Sequence, residues 1–153
     1  MEREGIECWV DPTATVDPTT KVWHYAKILA HAKVGYSCSI GAGAEVGRNC
    51  RIGDCSRISS GVFLPSYTVI GRDVFVGPGV IMCDDKFPVA NNSAYRAEPP
   101  LIEDGASIGA GAVILPGVRI GKHAMVAAGA IVTHDVMAGQ LVKGLPAREA
   151  KRS

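Results

Sequence analysis

The chain has 153 residues, 47% of them hydrophobic and 20% charged, which suits a single domain with its own core. Sixteen Lys and Arg against fifteen Asp and Glu leave a net charge of +1, too small to favour nucleic acid or an anionic membrane surface. The first residues, MEREGIECWV, lack the apolar stretch of a signal peptide, and no later run of apolar residues could span a bilayer. We therefore expect a soluble, cytoplasmic protein without a nucleic-acid or membrane partner.

The five cysteines, Cys8, Cys38, Cys50, Cys55 and Cys83, include no Cys-x-x-Cys pair, so reduced thiols are expected. We interpret Cys38 and Cys50 as core residues, because both fall at small inward positions of the repeat described below. Eighteen Gly and nine Pro beside only three Phe favour short strands and tight corners over long helices. The composition indicates an all-β fold.

A sixfold repeat begins at Val10 and dominates the chain. Every sixth residue from Val10 to Met82 is apolar, and the residue two positions earlier is small or β-branched. Three positions after the apolar residue stand types that tolerate positive φ, among them Gly43, Asn49, Gly61, Asp73 and Gly79. Six residues hold one short strand and one turn, so we predict a three-sided parallel β-helix over the single domain 1–153.

The repeat loses its phase after Met82 and regains it at Ile102, from where it runs to Val132. Residues 84–101, DDKFPVANNSAYRAEPPL, are therefore predicted to form a loop that leaves the coil. Long loops in compact folds often carry function, and this loop is the first candidate site. The alternative is a tolerated surface insertion.

Both ends of the coil are expected to be capped, as in other solenoids. The sixfold pattern fades after Val132, and we predict a cap over about 138–153 with a short basic helix that carries Arg148, Lys151 and Arg152. The first ten residues are expected to cap the other end.

Two hexads, Ile40-Gly41-Ala42-Gly43-Ala44-Glu45 and Ile108-Gly109-Ala110-Gly111-Ala112-Val113, resemble those of hexapeptide-repeat acyltransferases, which fold as left-handed parallel β-helices. The left hand follows from this resemblance alone, since ordinary crossovers are right-handed. Within the superfamily, the chain is similar to N-acetyltransferases that act on nucleotide-linked 3-amino sugars. That similarity lies in Val22-Trp23-His24-Tyr25, Asp84-Asp85-Lys86-Phe87-Pro88, Tyr95-Arg96, Gly105-Ala106-Ser107-Ile108-Gly109-Ala110 and Gly144-Leu145-Pro146-Ala147-Arg148.

The resemblance implies a homotrimer with sites between neighbouring subunits, acetyl-CoA as cosubstrate, and a nucleotide-linked amino sugar held near the loop. The start of the loop looks closest to enzymes for dTDP-3-amino-3,6-dideoxyhexoses, with UDP-linked 3-amino-uronates as the alternative acceptors. Relatives commonly have Asn where this chain has Asp84, and Lys-Asp-Val-Pro where it has His134-Asp135-Val136-Met137.

Acetyl transfer to an amine needs a neutral amine, a donor for the oxyanion and a place for the surplus proton. Asp84 is the candidate that takes this proton or anchors the sugar, and Asp85 is a candidate substrate contact; either carboxylate could instead cap the loop backbone. Lys86, Tyr95, Arg96 and His24 complete the predicted acceptor site. Because residues 84–101 contain no histidine, attack by a hydroxyl group, which usually needs a histidine base, is disfavoured.

The resemblance places the thioester against the later coils. A backbone N–H near Gly109 or Ala110 is the predicted oxyanion donor, and Ala128 with Gly129 leaves room for the pantetheine. Lys143 and Arg148 are candidate contacts for the coenzyme A phosphates. The alternative is that the small residues only satisfy the repeat and that the two cations are only solvated.

Two other classes of protein are weighed against this interpretation. A zinc-dependent trimeric β-helix that hydrates carbon dioxide would need histidines gathered at a subunit interface. His24 and His31, seven positions apart, cannot occupy equivalent corners, so no metal is expected. An ice-binding scaffold would need ranks of Thr-x-Thr, and only Thr13-Ala14-Thr15 fits that pattern.

Overall fold

The structure is a computed structural model that describes residues 7–151. Its strands wind about one axis, and each strand from the first to the sixteenth pairs in parallel with the strand three places further along the chain. The result is a left-handed parallel β-helix of about 7 turns. The repeat predicts the parallel coil, and the resemblance to hexapeptide-repeat acyltransferases implies its left hand. We call its three sides faces A, B and C.

Short strands make up each face, and all but the last two strands hold two residues. Face A contains β1 (Trp9–Val10), β4 (Lys27–Ile28), β7 (Glu45–Val46), β10 (Phe63–Leu64), β13 (Ile81–Met82), β16 (Val113–Ile114) and β19 (Ile131–Val132). Face B contains β2 (Thr15–Val16), β5 (Lys33–Val34), β8 (Arg51–Ile52), β11 (Val69–Ile70), β14 (Leu101–Ile102) and β17 (Arg119–Ile120). Face C contains β3 (Lys21–Val22), β6 (Ser39–Ile40), β9 (Arg57–Ile58), β12 (Phe75–Val76), β15 (Ser107–Ile108), β18 (Met125–Val126), β20 (Leu141–Lys143) and β21 (Arg148–Ala150).

The core is a column of side chains inside the prism. The second residue of each two-residue strand points inward and the first points outward, because side chains alternate along a strand. Ile28, Ile40 and Ile58 are fully buried, and so are small residues two positions earlier, such as Ala26 and Ala44. Large and small side chains thus share each layer without overpacking.

Three corners join the faces, and we call them AB, BC and CA after the faces they connect. The predicted corner residues all have positive φ: Gly43, Asn49, Gly61, Asp73 and Gly79. The same position also holds Tyr25, His31, Ser37, Cys55 and Tyr67, with φ between 51° and 66°. Residues with bulky side chains adopt this conformation because hydrogen bonds between stacked coils hold the corner backbone. For example, the Tyr67 N–H donates to the Arg48 carbonyl at 2.8 Å.

The predicted C-terminal helix is wrong. Within the described residues 138–151, β20 and β21 form an antiparallel pair. Val142 lies in register with the inward residue Val126 and is buried. Gly144, at φ 95°, and Pro146 lie in the turn that follows and do not suit a helix interior. Arg152 lies outside the described residues.

At the other end, Trp9 and Val10 already belong to the first coil, and residues 1–6 of the expected cap lie outside the described part of the chain. Over residues 7–151 we find no helix with the length and apolar character needed to cross a membrane.

Candidate active site

The loop leaves the prism at corner AB, between β13 and β14, and its neck is closed by backbone hydrogen bonds. The Glu98 N–H donates to the Asp84 carbonyl at 2.8 Å, and the Gly117 N–H of the next coil donates to the Glu98 carbonyl at 2.7 Å. Across the neck, the Tyr95 hydroxyl donates to the Asp84 carboxylate at 2.7 Å. Asp84 is therefore half-buried and held in one orientation at the base of the loop.

This contact shifts the pKa of Tyr95. The hydrogen bond to the Asp84 carboxylate raises the pKa of Tyr95 to about 12, with smaller contributions from burial and from the charges of Asp84 and Asp85. A phenol bonded to a carboxylate resists deprotonation because the second negative charge would repel the first. Tyr95 therefore stays a neutral donor at physiological pH.

The remaining predicted acceptor residues of the loop have local roles or face solvent. Asp85 accepts a hydrogen bond from the Phe87 N–H at 3.0 Å, which is the backbone-capping alternative for that carboxylate. Arg96 donates to the Tyr95 carbonyl at 2.7 Å, and the Lys86 side chain is exposed.

The residues predicted to bind coenzyme A lie along one edge of the prism, corner CA. The Gly111 N–H donates to Pro78 O at 2.9 Å and the Gly129 N–H to Ala110 O at 2.8 Å, so Gly109 and Ala110 stack directly below Ala128 and Gly129. Lys143 ends β20 one rung above and pairs with Arg148 of β21. The structure therefore brings all six predicted residues together on one edge.

Packing explains only part of the small residues at this edge. A Cβ on Gly109 would lie 2.4 Å from Ala128 N, so the next rung requires glycine there, and Gly129 has φ +70°. Ala110 and Ala128 are exposed, and packing therefore leaves their size free. The Gly109 N–H already donates to Val126 O at 2.7 Å, whereas the Ala110 N–H has no acceptor among the described residues, which leaves it as the candidate oxyanion donor.

One chain does not bring the two halves of the predicted site together. Asp84 lies at corner AB and Ala110 at corner CA, on opposite edges of face A. One side of the prism, about five extended residues, is on the order of 16 Å wide. His24 lies at corner CA but four rungs from Ala110, about 19 Å along the axis. A complete site would therefore need a second subunit.

The four histidines occupy different places on the prism. His24 lies at corner CA, His31 and His134 at distant levels of corner AB, and His123 at corner BC. Over residues 7–151 no three His, Cys, Asp or Glu side chains converge as metal ligands within one chain.

The buried thiols have structural partners. The Cys38 thiol lies 3.3 Å from the Gly53 carbonyl, and Cys50 lies 3.1 Å from the Pro65 carbonyl. Burial raises the pKa of both thiols, that of Cys50 to about 11, so neither is a reactive thiolate. Their interpretation as core residues is confirmed.

Sequence reasoning missed the contact between Tyr95 and Asp84. Tyr95 was expected to touch the acceptor, and no spacing rule relates two residues at opposite ends of an irregular loop. Sequence reasoning also gave no role to Tyr67, an exposed residue at corner AB on the rung just below the loop.

Comparison with known proteins relates part of the repeats to a described family. Residues 99–134 match the family described as bacterial transferase hexapeptide (six repeats). Over 83 residues the chain is 49% identical to 2,3,4,5-tetrahydropyridine-2,6-dicarboxylate N-acetyltransferase of Staphylococcus aureus, a match that covers 54% of this chain and 32% of that protein. The chain thus spans about a third of the length of these curated relatives.

Solved structures share the fold. A hexapeptide-repeat acetyltransferase of Vibrio cholerae O1 biovar eltor, complexed with acetyl coenzyme A, is 29% identical with a TM-score of 0.67, over 77% of this chain and 69% of that one. A hexapeptide transferase family protein of Anaplasma phagocytophilum has a TM-score of 0.76 at 20% identity, over 97% of this chain and 84% of that one, and shows the fold alone. The chain thus has the fold of these hexapeptide-repeat proteins, and the S. aureus and V. cholerae relatives are named acetyltransferases.

Proposed function

We propose that this protein is an acetyl-CoA-dependent N-acetyltransferase. The observation that carries the proposal is the alignment of Gly109, Ala110, Ala128, Gly129, Lys143 and Arg148 along corner CA. Small exposed side chains followed by two cations suit a thioester arm that ends in phosphates. The likeness to the V. cholerae protein, which extends over 77% of this chain, supports the same assignment because that protein was solved in complex with acetyl coenzyme A.

In the proposed reaction, the acceptor amine loses its ammonium proton and attacks the thioester carbonyl carbon. The Ala110 N–H donates to the oxyanion, and collapse of the tetrahedral adduct breaks the carbon–sulfur bond and expels the coenzyme A thiolate. Asp84 orients the ammonium group and accepts the proton that it loses before the attack, which passes on to water. The second proton, which the nitrogen loses as the amide forms, goes to the expelled thiolate. Tyr95, held neutral, keeps the Asp84 carboxylate in position. The chemistry calls on no metal.

A homotrimer would complete the site. If face A of each prism turns toward a threefold axis, corner AB of one subunit meets corner CA of the next, which joins Asp84 to Ala110 across the interface. The outward residues of face A support this arrangement, because Phe63, Ile81, Val113 and Ile131 form an apolar stripe on four neighbouring rungs. Ile81 is 46% exposed in the single chain, and such a stripe is typical of an interface.

We propose a nucleotide-linked amino sugar as the acceptor, in first place a dTDP-3-amino-3,6-dideoxyhexose and in second place a UDP-linked 3-amino-uronate. The support is the resemblance carried by the loop segments and His24. A second candidate is the tetrahydropyridine dicarboxylate named for the S. aureus relatives, favoured by 49% identity over 83 residues. Action in the cytoplasm remains a prediction.

A screen tests the proposal. Purified protein and acetyl-CoA are incubated with each of these acceptors in turn, and free thiol is followed with a thiol reagent. Thiol release that depends on a nucleotide-linked amino sugar supports the proposal, and release with the dicarboxylate alone selects the second candidate. Hydration of carbon dioxide by zinc-loaded protein, without thiol release from any acceptor, would support the carbonic-anhydrase-like alternative.

A further inference from the structure

Three outward-facing cations on this prism pair with carboxylates of a neighbouring rung. Lys27 lies 3.9 Å from Glu45 on the next rung, Arg72 lies 2.6 Å from Asp54, and Arg119 pairs with Glu103. Neighbouring rungs are about 4.8 Å apart, close enough for such pairs to offset each other's charge. At these three positions the stacked charge is therefore balanced.

Face B carries a stacked pair of cations whose charge is not balanced in this way. Lys33 of β5 and Arg51 of β8 are direct register partners, both are exposed, and neither makes an ion pair with another of the described residues. Like charges placed directly opposite on a sheet destabilise it. Arg48, at corner AB just before β8, adds a third cation at this level. Two stacked cations without a carboxylate partner form a place where an anion is favourable.

The position of this pair relates it to the loop. Arg51 lies two rungs below Leu101, where the loop returns to face B, and Lys33 lies one rung lower. Arg51 is therefore about 10 Å, and Lys33 about 14 Å, below the level of Asp84. Between the two levels, Val69 and Tyr67 present exposed apolar surface, and Tyr67 is 56% exposed. Three features therefore follow one another down the prism from the loop. They are a carboxylate that suits an amine, an apolar and aromatic strip, and two cations.

We propose that Lys33 and Arg51 bind the diphosphate of a nucleotide-linked acceptor whose amine lies at Asp84. This rests on the proposed function and selects between its acceptors. In the tetrahydropyridine dicarboxylate, both carboxylates are attached to carbons that flank the ring nitrogen, so that molecule is too short to reach from Asp84 to Arg51. The phosphates of coenzyme A are the other source of anionic groups, but the predicted coenzyme A residues ascend from Ala110 to Lys143, away from the level of Arg51.

The test compares Lys33→Gln and Arg51→Gln with Arg57→Gln. Arg57 is an exposed cation on face C, stacked between Ser39 and Phe75, and serves as the matched control. Thymidine diphosphate binding to the full chain is measured by calorimetry. We expect about tenfold weaker binding for each of the first two variants, the scale of one lost charge-assisted hydrogen bond, and unchanged binding for the control. Thermal unfolding midpoints no lower than the parent's show that all three variants are folded.

Kinetics separate the two sources of anionic groups. The KM for a nucleotide-linked acceptor should rise about tenfold in Arg51→Gln, while kcat and the KM for acetyl-CoA stay near those of the parent. A rise in the KM for acetyl-CoA instead, or thymidine diphosphate binding equal to that of Arg57→Gln, would overturn the subsite.

The outcome also separates this inference from the proposed function. If Arg51→Gln acetylates the amino sugar with the parent's KM, the subsite is wrong and the acetyltransferase stands. If the parent acetylates no amino sugar, yet Lys33→Gln and Arg51→Gln lose affinity for thymidine diphosphate, the proposed acceptor reaction fails and the anion site stands.

Discussion

The sharpest structural prediction concerns Ile58, at the centre of the prism. This residue is 0% exposed and stacks between Ile40 and Val76 of the neighbouring rungs. Ile58→Ala removes three carbons, about 2.4 kcal/mol of transfer free energy at 0.8 kcal/mol each. The cavity that remains adds to this loss because the flanking backbone is fixed, with Gly41 N–H donating to Ile58 O at 2.7 Å and Ser59 N–H to Val76 O at 2.9 Å. We therefore expect a loss of about 4 kcal/mol.

Urea denaturation followed by circular dichroism measures this loss as a lower midpoint. Near the unfolding temperature, the same loss corresponds to about 8–16 °C in Tm for a chain of this size. Arg57→Ala, whose side chain points outward from the preceding position, should change stability by no more than about 0.5 kcal/mol. Equal losses in the two variants would refute the assignment of inward and outward positions, and with it the sixfold register.

Four further predictions concern the site and the assembly. Asp84→Ala should lower kcat/KM about a hundredfold if the carboxylate takes the proton; Asp84→Asn should then recover activity as pH rises, and a pH profile overlaying the parent's would exclude the base. The hydrogen bond to Asp84 raises the pKa of Tyr95 to about 12, so it stabilises the folded protein below about pH 10, and this contribution is lost as the pH rises toward 12. Ultraviolet titration of Asp84→Asn should show the Tyr95 phenol ionising nearer pH 10, and a titration unchanged from the parent's would contradict the hydrogen bond. Ile81→Lys should dissociate the proposed trimer in analytical ultracentrifugation, whereas Met125→Lys, 40% exposed on face C, should leave it intact; equal behaviour of the two variants would place the interface elsewhere. Dialysis against a chelator should leave acetyl transfer unchanged, and zinc bound in stoichiometric amounts, with activity lost on its removal, would favour the hydratase-like alternative.

The fold could be predicted because the repeat imposes the same local choice in every coil. An apolar residue at every sixth position, from Val10 to Met82 and from Ile102 to Val132, fixes the strand, its inward side and the corner together. The phase shift after Met82 also placed the loop. The hand of the coil has no such local signal and followed only from resemblance.

Where prediction failed, contacts distant in sequence decided the structure. Helix propensity favoured a helical cap, but Val142 continues the inward column against Val126, and packing outweighs propensity in so short a segment. Tyr67 adopts positive φ because the stacked corners require it, which its residue type gives no reason to expect. The contact between Tyr95 and Asp84 depends on the path of an irregular loop, which no periodicity encodes.

An isotope label in the acetyl group tests the proposed reaction directly. The protein is incubated with acetyl-CoA labelled in the acetyl carbonyl and with a nucleotide-linked amino sugar, and the product is analysed by mass spectrometry and NMR. The N-acetyltransferase assignment predicts that the label appears in an amide on the sugar nitrogen, in step with thiol release, and that Asp84→Ala forms this product about a hundredfold more slowly. Label recovered as free acetate or as an ester on a sugar hydroxyl would contradict it.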